Sequence, residues 1–349
     1  MFMSELRQDP TTYDWIVIAK DRAKRPHQFT GDQKAVAPNP EFRKQCPFCP
    51  GNEHMSPPAV MICGEDDNWR LRVVPNKFPA LTPVGDVTRD ERKIFRSCHG
   101  YGRHEVIVES PRHNDSIPFM HKGHVEELLH VYHARYHALK KDPNIKVIII
   151  FKNHGENAGT SLDHPHSQII ASPIVPPFIR RKYEVATQYF DNTNRCIHHD
   201  IFAAELEMKE RIVRQSRHFV VFHPFASHYP FETWIMPKKH GSSFGDSTEE
   251  EMADLADVLG DILKRLHIGL NNPDYNYVLH TAPVDDEHKR YYSWHIQIIP
   301  RLTLAAGFEL GSGIHINIAV PEETADFMRQ IPTHQHQPPG GREHSGAER

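Results

Sequence analysis

The sequence predicts an α+β fold in which two similar halves join their strands into one antiparallel-rich, mixed sheet with helices packed on one side of it. Three observations lead there. Short runs rich in β-branched and aromatic residues are bounded by Pro, Gly or Asn and read as strands. Between them lie long stretches in which apolar residues recur every three or four positions, as on one face of a helix. The order of these elements then repeats once along the chain.

Taken in order, WIVIA from Trp15 is the first clear strand. The first half continues with EVIVE from Glu105, SPRH ending at His113, and a helix HVEELLHVYHARYHALKK from His124. It closes on the strand KVIIIFKN from Lys146 and a strand carrying HPHSQII from His164. HFVVF from His218 opens the second half, which then runs TWIM from Thr233, PKKH ending at His240, and a helix TEEEMADLADVLGDILKRLH from Thr248. Acids early and bases late in that helix suit its dipole. The strands YNYVLHTA from Tyr275 and WHIQII from Trp294 complete it. The spacing from His113 to His166 matches that from His240 to His295 to within two positions. Cys46-Pro-Phe-Cys49 precedes the first unit and Cys196-Ile-His-His199 the second. Duplication of one unit follows, with halves at residues 1–175 and 176–329. Residues 330–349 are polar and rich in Pro, Gly and His, and read as a disordered tail.

Composition narrows the function classes. A net charge of −4 from interspersed acids and bases argues against a nucleic-acid or membrane surface, so any phosphate chemistry belongs in a local pocket. The first residues carry acids and a proline where a signal peptide has its apolar stretch, and no window is long enough to span a membrane. A cytoplasmic enzyme is expected. Five cysteines in 349 residues do not make a disulfide framework, and C-x-x-C reads as a metal or redox element. Cys63 and Cys98 fit no such pattern and are expected to be buried, inert thiols.

The sharpest local signal is Asp163-His164-Pro165-His166-Ser167-Gln168, with Asn153, Gly155, Asn157 and Ser161 upstream. On a strand His164, His166 and Gln168 share one face, a polar row where apolar residues are usual. Pro165 cannot donate to a ladder, which suggests an edge or irregular strand beside a cleft. A neutral imidazole there can attack phosphorus if its other nitrogen is held by an acceptor.

This H-x-H-x-Q motif resembles the branch of the histidine-triad superfamily that contains galactose-1-phosphate uridylyltransferase and the plant-type nucleotide-sugar phosphorylases. Asp21-Arg22-Ala23-Lys24-Arg25-Pro26, CPFCPGNE, VVPNKFPAL, PFETWIMPKKH and HIQIIPRLT resemble further family blocks in family order, over about residues 10 to 320. The resemblance implies two histidine-triad-like halves, the first of them catalytic, in a homodimer with sites at the subunit interface. It makes His166 the nucleophile that forms a covalent nucleotidyl intermediate, with Gln168 on the phosphoryl group. Arg22 and Arg25 match positions near the phosphates, where guanidinium groups offset charge. Asn76 and Phe78 match the nucleoside wall, and Asn153 and Ser161 the phosphates or ribose. Lys77 stands where uridylyltransferases carry an acid. Gly307 and Glu309 agree with a segment over the hexose, while Thr303 replaces its lysine and Phe308 its tyrosine.

Cys46, Cys49, His113 and His164 supply the two thiolates and two imidazoles of a closed zinc site, and the resemblance assigns zinc to them. The repeat suggests a second set, Cys196, His199, His240 and His295, supported by phosphorylase-type relatives with a metal at similar places; His280 could join it. The expected donor is a nucleotide sugar, UDP-glucose, UDP-galactose or ADP-glucose. The expected acceptor is hexose 1-phosphate, as in a UDP-glucose:hexose-1-phosphate uridylyltransferase. The alternative is a phosphorylase with orthophosphate as acceptor, and a third reading is a zinc-stabilised nucleotide-binding protein without turnover.

Overall fold

The structure is a computed structural model that describes residues 4–20, 25–29, 39–65 and 68–333. Arg22 and residues 334–349 of the expected tail lie outside the described residues, whereas residues 330–333 of that span do not read as tail: Gln330 ends a helix and Thr333 is buried. In chain order the strands are β1 (Glu5–Gln8), β2 (Trp15–Ile18), β3 (Met61–Glu65), β4 (Asn68–Pro75), β5 (Asp90–Arg92), β6 (Phe95–Ser97), β7 (Arg103–Val108), β8 (Val147–His154), β9 (His166–Ser172), β10 (Ile212–Gln215), β11 (Phe219–Phe222), β12 (Thr233–Pro237), β13 (Tyr275–His280), β14 (His295–Pro300) and β15 (Ile316–Asn317). The helices are α1 (Lys122–Leu139), α2 (Pro177–Thr193), α3 (Ile197–Met208), α4 (Glu249–Gly269), α5 (Gly307–Ser312) and α6 (Pro321–Gln330).

Ten strands form one sheet in the order β10-β11-β12-β14-β13-β8-β9-β7-β4-β3, antiparallel at every pairing. The parallel pairing that makes the fold mixed is β15 with β2, in a small three-stranded sheet. The two halves meet where β8 pairs with β13, Asn153 facing Asn276. Register repeats between them. Val106 of β7 faces Gln168 of β9, and Trp234 of β12 faces Gln297 of β14.

Alternation decides which side chains see the core. Ile148 and Ile150 of β8, Ile169 and Ala171 of β9, and Tyr277 and Leu279 of β13 point toward α1 and α4 and pack with Leu128, Tyr132, Leu259 and Leu263. Full burial of each aliphatic side chain is worth about 1.5–3 kcal/mol, so this layer carries most of the packing energy. Thr248 caps α4, its hydroxyl taking the Glu251 N–H and the Glu251 carboxylate taking the Thr248 N–H, with three acids in the first turn. Residues at the alternate positions, His166 and Gln168 among them, face the other side.

Three expectations change here. β9 is an interior strand between β8 and β7 rather than an edge, because Pro165 lies just outside it and its carbonyl accepts the Glu109 N–H at 3.0 Å. Helices also cover both faces of the second half. β11 and β12 are buried at every position, so Val220, Phe222, Trp234 and Met236 need a cover opposite α4, and α3 supplies Ile201, Phe202 and Leu206. Cys98 is exposed beside the β5–β6 hairpin and Cys63 half-buried on β3, so neither is a fully buried thiol. Among the described residues no helix is long and apolar enough to cross a membrane.

Candidate active site

His166 opens β9 on the face away from α1 and α4, and burial leaves it only 7% exposed. Its Nδ1 lies 2.8 Å from the carbonyl oxygen of His164. A carbonyl only accepts, so Nδ1 carries the proton and Nε2 keeps its lone pair. Burial lowers the pKa of His166; the His164 carbonyl opposes that shift and the Lys152 charge adds to it. The ring is therefore neutral near pH 7, with Nε2 making no hydrogen bond to any described residue.

The support behind this imidazole comes from residues the sequence reading did not single out. Lys152 Nζ donates to Glu109 Oε2 at 2.5 Å and to the carbonyl of His166 at 3.1 Å, with both side chains buried. The signal was available. Lys152 continues the inward series Ile148 and Ile150, and Glu109 the series Glu105 and Ile107, so two charges stand where apolar residues belong. His104 was also missed. Its Nδ1 accepts the Ala80 N–H at 3.1 Å, which leaves Nε2 to donate to Gln168 Oε1 at 2.7 Å. The Gln168 carbonyl is thereby occupied and its amide NH2 is left to serve as a donor.

Asn76 follows β4, its N–H donating to the His104 carbonyl at 2.8 Å and its Oδ1 accepting the Phe78 N–H at 2.9 Å. Phe78 is 83% exposed, a solvent-facing aromatic ring two residues beyond Asn76. Asn153 Oδ1 accepts from Asn276 Nδ2 at 2.8 Å across the join between halves, and Ser161 is exposed on the loop before His164. Arg25 is exposed. Gly307 and Glu309 are not brought to His166. Glu309 instead caps its own helix, accepting the Ala306 N–H at 2.9 Å and the Ile316 N–H at 3.1 Å.

Cys46, Cys49, His113 and His164 do converge. All four are buried, and their ligand atoms lie within 4.8 Å of one another. Cys49 Sγ stands 3.5 Å from His113 Nδ1 and 3.6 Å from His164 Nδ1. His164 Nε2 donates to the Ser110 carbonyl at 2.7 Å, which fixes the tautomer that presents Nδ1 to an ion. Burial holds His164 at a pKa of about 3, so it stays unprotonated and able to ligate. This group can hold a metal ion, and its donors suit zinc. Phe48, between the two cysteines, packs on both His164 and His166, so the loop reaches the His166 ring directly.

The second set does not assemble among the described residues. His199 and His240 stand with ring centroids 5.2 Å apart and Cys196 caps the same helix as His199. His295 stacks on Trp234 at 4.5 Å and on His280 at 4.9 Å, and its ring lies 5.5 Å from that of His198, the chain neighbour of His199. The register gives the reason. Gln297 corresponds to Gln168, so His295 corresponds to His166, and the counterpart of His164 is Ser293.

The fold and this imidazole, poised beside a glutamine, define a nucleotidylyltransferase. Comparison with known families agrees: residues 1–176 match the galactose-1-phosphate uridyl transferase N-terminal domain and residues 182–337 its C-terminal domain. The chain belongs to the galactose-1-phosphate uridyl transferase family. It is 36% identical to ADP-glucose phosphorylase of Arabidopsis thaliana, over 94% of this chain and 93% of that one. It is 28% identical to the galactose-1-phosphate uridylyltransferase of Thermotoga maritima, over 94% and 98%. The crystal structure of the Arabidopsis thaliana ADP-glucose phosphorylase with bound ADP-glucose superposes with a TM-score of 0.80 at 33% identity, covering 95% of this chain and all of that one.

Proposed function

We propose that His166 takes a nucleoside monophosphate from a nucleotide sugar and passes it to a second phosphate. The observation that carries this reading is the neutral, tautomer-locked Nε2 of His166 beside the donor amide of Gln168. Nε2 attacks the α-phosphorus, a P–N bond forms, and the bond to the bridging oxygen breaks so that hexose 1-phosphate leaves. An acceptor phosphate oxygen then attacks the same phosphorus and the P–N bond breaks. The imidazole is cationic while nucleotidylated, and the His164 carbonyl on Nδ1 stabilises it in that state. Arg22, Arg25, Asn153 and Ser161 are assigned to the phosphates and ribose, and Asn76 and Phe78 to the base. Because α5 is remote from His166 and exposes Phe308 and Leu310 at 54% and 77%, Gly307 and Glu309 would act on the site of a partner subunit in a homodimer.

The family reading is a UDP-glucose:hexose-1-phosphate uridylyltransferase. A specific observation favours orthophosphate as acceptor instead. Thr303 and Phe308 leave the hexose segment without a charged donor, and hydrogen bonds to charged groups are worth about 1.5–3 kcal/mol, or roughly 10- to 150-fold. Incubation with UDP-glucose or ADP-glucose, and with galactose 1-phosphate or phosphate, is read by product identity. Relaxed discrimination is expected. A preference for galactose 1-phosphate beyond about a thousandfold, some 4 kcal/mol, would remove the phosphorylase reading.

Zinc at Cys46, Cys49, His113 and His164 would be structural, tying the loop after residue 40 to the strand of the nucleophile. Cys46→Ser is expected to lower the zinc content by one equivalent per chain in elemental analysis. Unchanged zinc would place the ion elsewhere.

A further inference from the structure

A cavity of about 610 Å³ opens on the sheet face opposite α1 and α4, but over the second half. Its floor repeats the catalytic strand pair. His295 Nδ1 donates to the Ser293 carbonyl at 3.2 Å, as His166 Nδ1 does to His164. Gln297 Oε1 accepts from His280 Nε2 at 2.8 Å, as Gln168 Oε1 does from His104, but the Gln297 amide is taken up by Glu232 Oε1 at 2.7 Å whereas that of Gln168 has no partner among the described residues. The imidazole itself is out of reach, fully buried and flanked by the rings of Trp234 and His280. The second half repeats the strand frame of the His166 site with its imidazole closed off and its glutamine amide already engaged.

What reaches the cavity instead is Lys182 of α2. Its side chain is only 4% exposed, and its ammonium lies 4.8 Å from the centre of the Phe178 ring and 5.9 Å from that of Trp234. It makes no hydrogen bond and no ion pair with any described residue. Three carboxylates also line the cavity, and each has other partners. Asp14 pairs with Arg181 at 3.0 Å, and Asp9 Oδ1 accepts the backbone N–H and the hydroxyl of Thr11, each at 2.8 Å. Glu232 accepts from Trp234 Nε1 at 3.0 Å, from Gln297, and from the His228 N–H at 2.7 Å. His315 Nδ1, also on the lining, is buried without a partner. A buried ammonium with no acceptor is costly unless a ligand supplies one.

We propose that this cavity is a second ligand site, taking a small organic anion with a flat apolar body. Its carboxylate or phosphate oxygens accept from Lys182 and its ring lies against Phe178 and Trp234, where aromatic faces and a cation already meet. The site is independent of the chemistry at His166.

The probe is benzoate, which carries no phosphorus, titrated calorimetrically into the full chain with phenyl phosphate and inorganic phosphate as further arms. One benzoate per chain is expected, retained in His166→Ala and weakened at least tenfold in Lys182→Met. Phe178→Ala, at a residue more than half exposed, should weaken it severalfold without unfolding the protein. Phenyl phosphate should compete with benzoate, and inorganic phosphate, lacking the ring, should compete far less. Lys182→Met should be at least as thermostable as the wild type without ligand, since a chain of similar length replaces an unpaired ammonium. No benzoate binding, or equal binding by wild type and Lys182→Met, overturns the proposal. So does a Lys182→Met protein that melts well below the wild type, because Lys182 would then be the structural counter-charge of the three carboxylates.

Discussion

His166→Ala is expected to lower turnover by on the order of 10⁴-fold or more and to abolish covalent labelling by the nucleotide sugar. The substitution removes the attacking nitrogen and leaves the binding groups in place, so KM should move far less than kcat. Wild-type protein mixed with a donor labelled in the α-phosphate should yield an adduct stable to base and labile to acid, as a phosphorus–nitrogen bond is. Equal labelling of the alanine variant would sink the covalent mechanism. The pH dependence follows from burial. Burial holds the folded-state pKa of His166 below the ordinary imidazole value of 6.5, so the ring is predominantly neutral at and above pH 6.5, and its neutral form is lost only as pH falls through the lower folded-state value. The acid limb of the single-turnover rate should accordingly lie below pH 6.5. A limb above 6.5 would mean that the ring is not desolvated as described.

What the sequence could and could not supply follows from the physics of each signal. Strand and helix periodicity is local, so β2, β8, β12, β13, β14, α1 and α4 were legible, and the duplicated order placed them in one sheet. α2 was not, because PFIRRKYEVATQYFDNT opens on Pro176 with no side-chain cap and buries a narrow stripe around Tyr183 and Ala186. The polar row at His166 and Gln168 announced itself by breaking the alternation expected of a buried strand. Cys46, Cys49, His113 and His164 were legible because two spacings and a family pattern coincide there. The second set is a weaker kind of signal: a repeat shows which strands correspond, whereas a metal site depends on which atoms converge. Lys182 was invisible for the same reason, since a lysine amid RRK in a helix reads as solvated until the fold encloses it. The grip on the His166 backbone was legible only in part: Lys152 and Glu109 each break an inward-facing series, but nothing local shows that the end of β7 and β8 bring the two charges together under His166.

Breaking that grip should be the most costly single change behind the site. Lys152 and Glu109 are 2% and 0% exposed, so neither charge can recover water if its partner is removed. Loss of one member of a buried pair costs about 3–5 kcal/mol, a large share of a typical stability of roughly 5–15 kcal/mol. Lys152→Met leaves the Glu109 carboxylate unpaired beside an oxygen that already lacks a hydrogen bond, and also frees the His166 carbonyl. The stability loss should therefore be read by denaturant titration, and Lys152→Met combined with Glu109→Leu should regain much of it, because no charge then remains buried. Activity should not follow stability. The double variant restores packing but supplies no donor to the His166 carbonyl, and a misplaced reacting group costs up to about 10²-fold. Measured well below its melting point, the double variant should keep a kcat reduced by roughly 10- to 100-fold with KM little changed. Recovery of kcat together with stability would show that Lys152 only balances Glu109 and takes no part in holding the nucleophile.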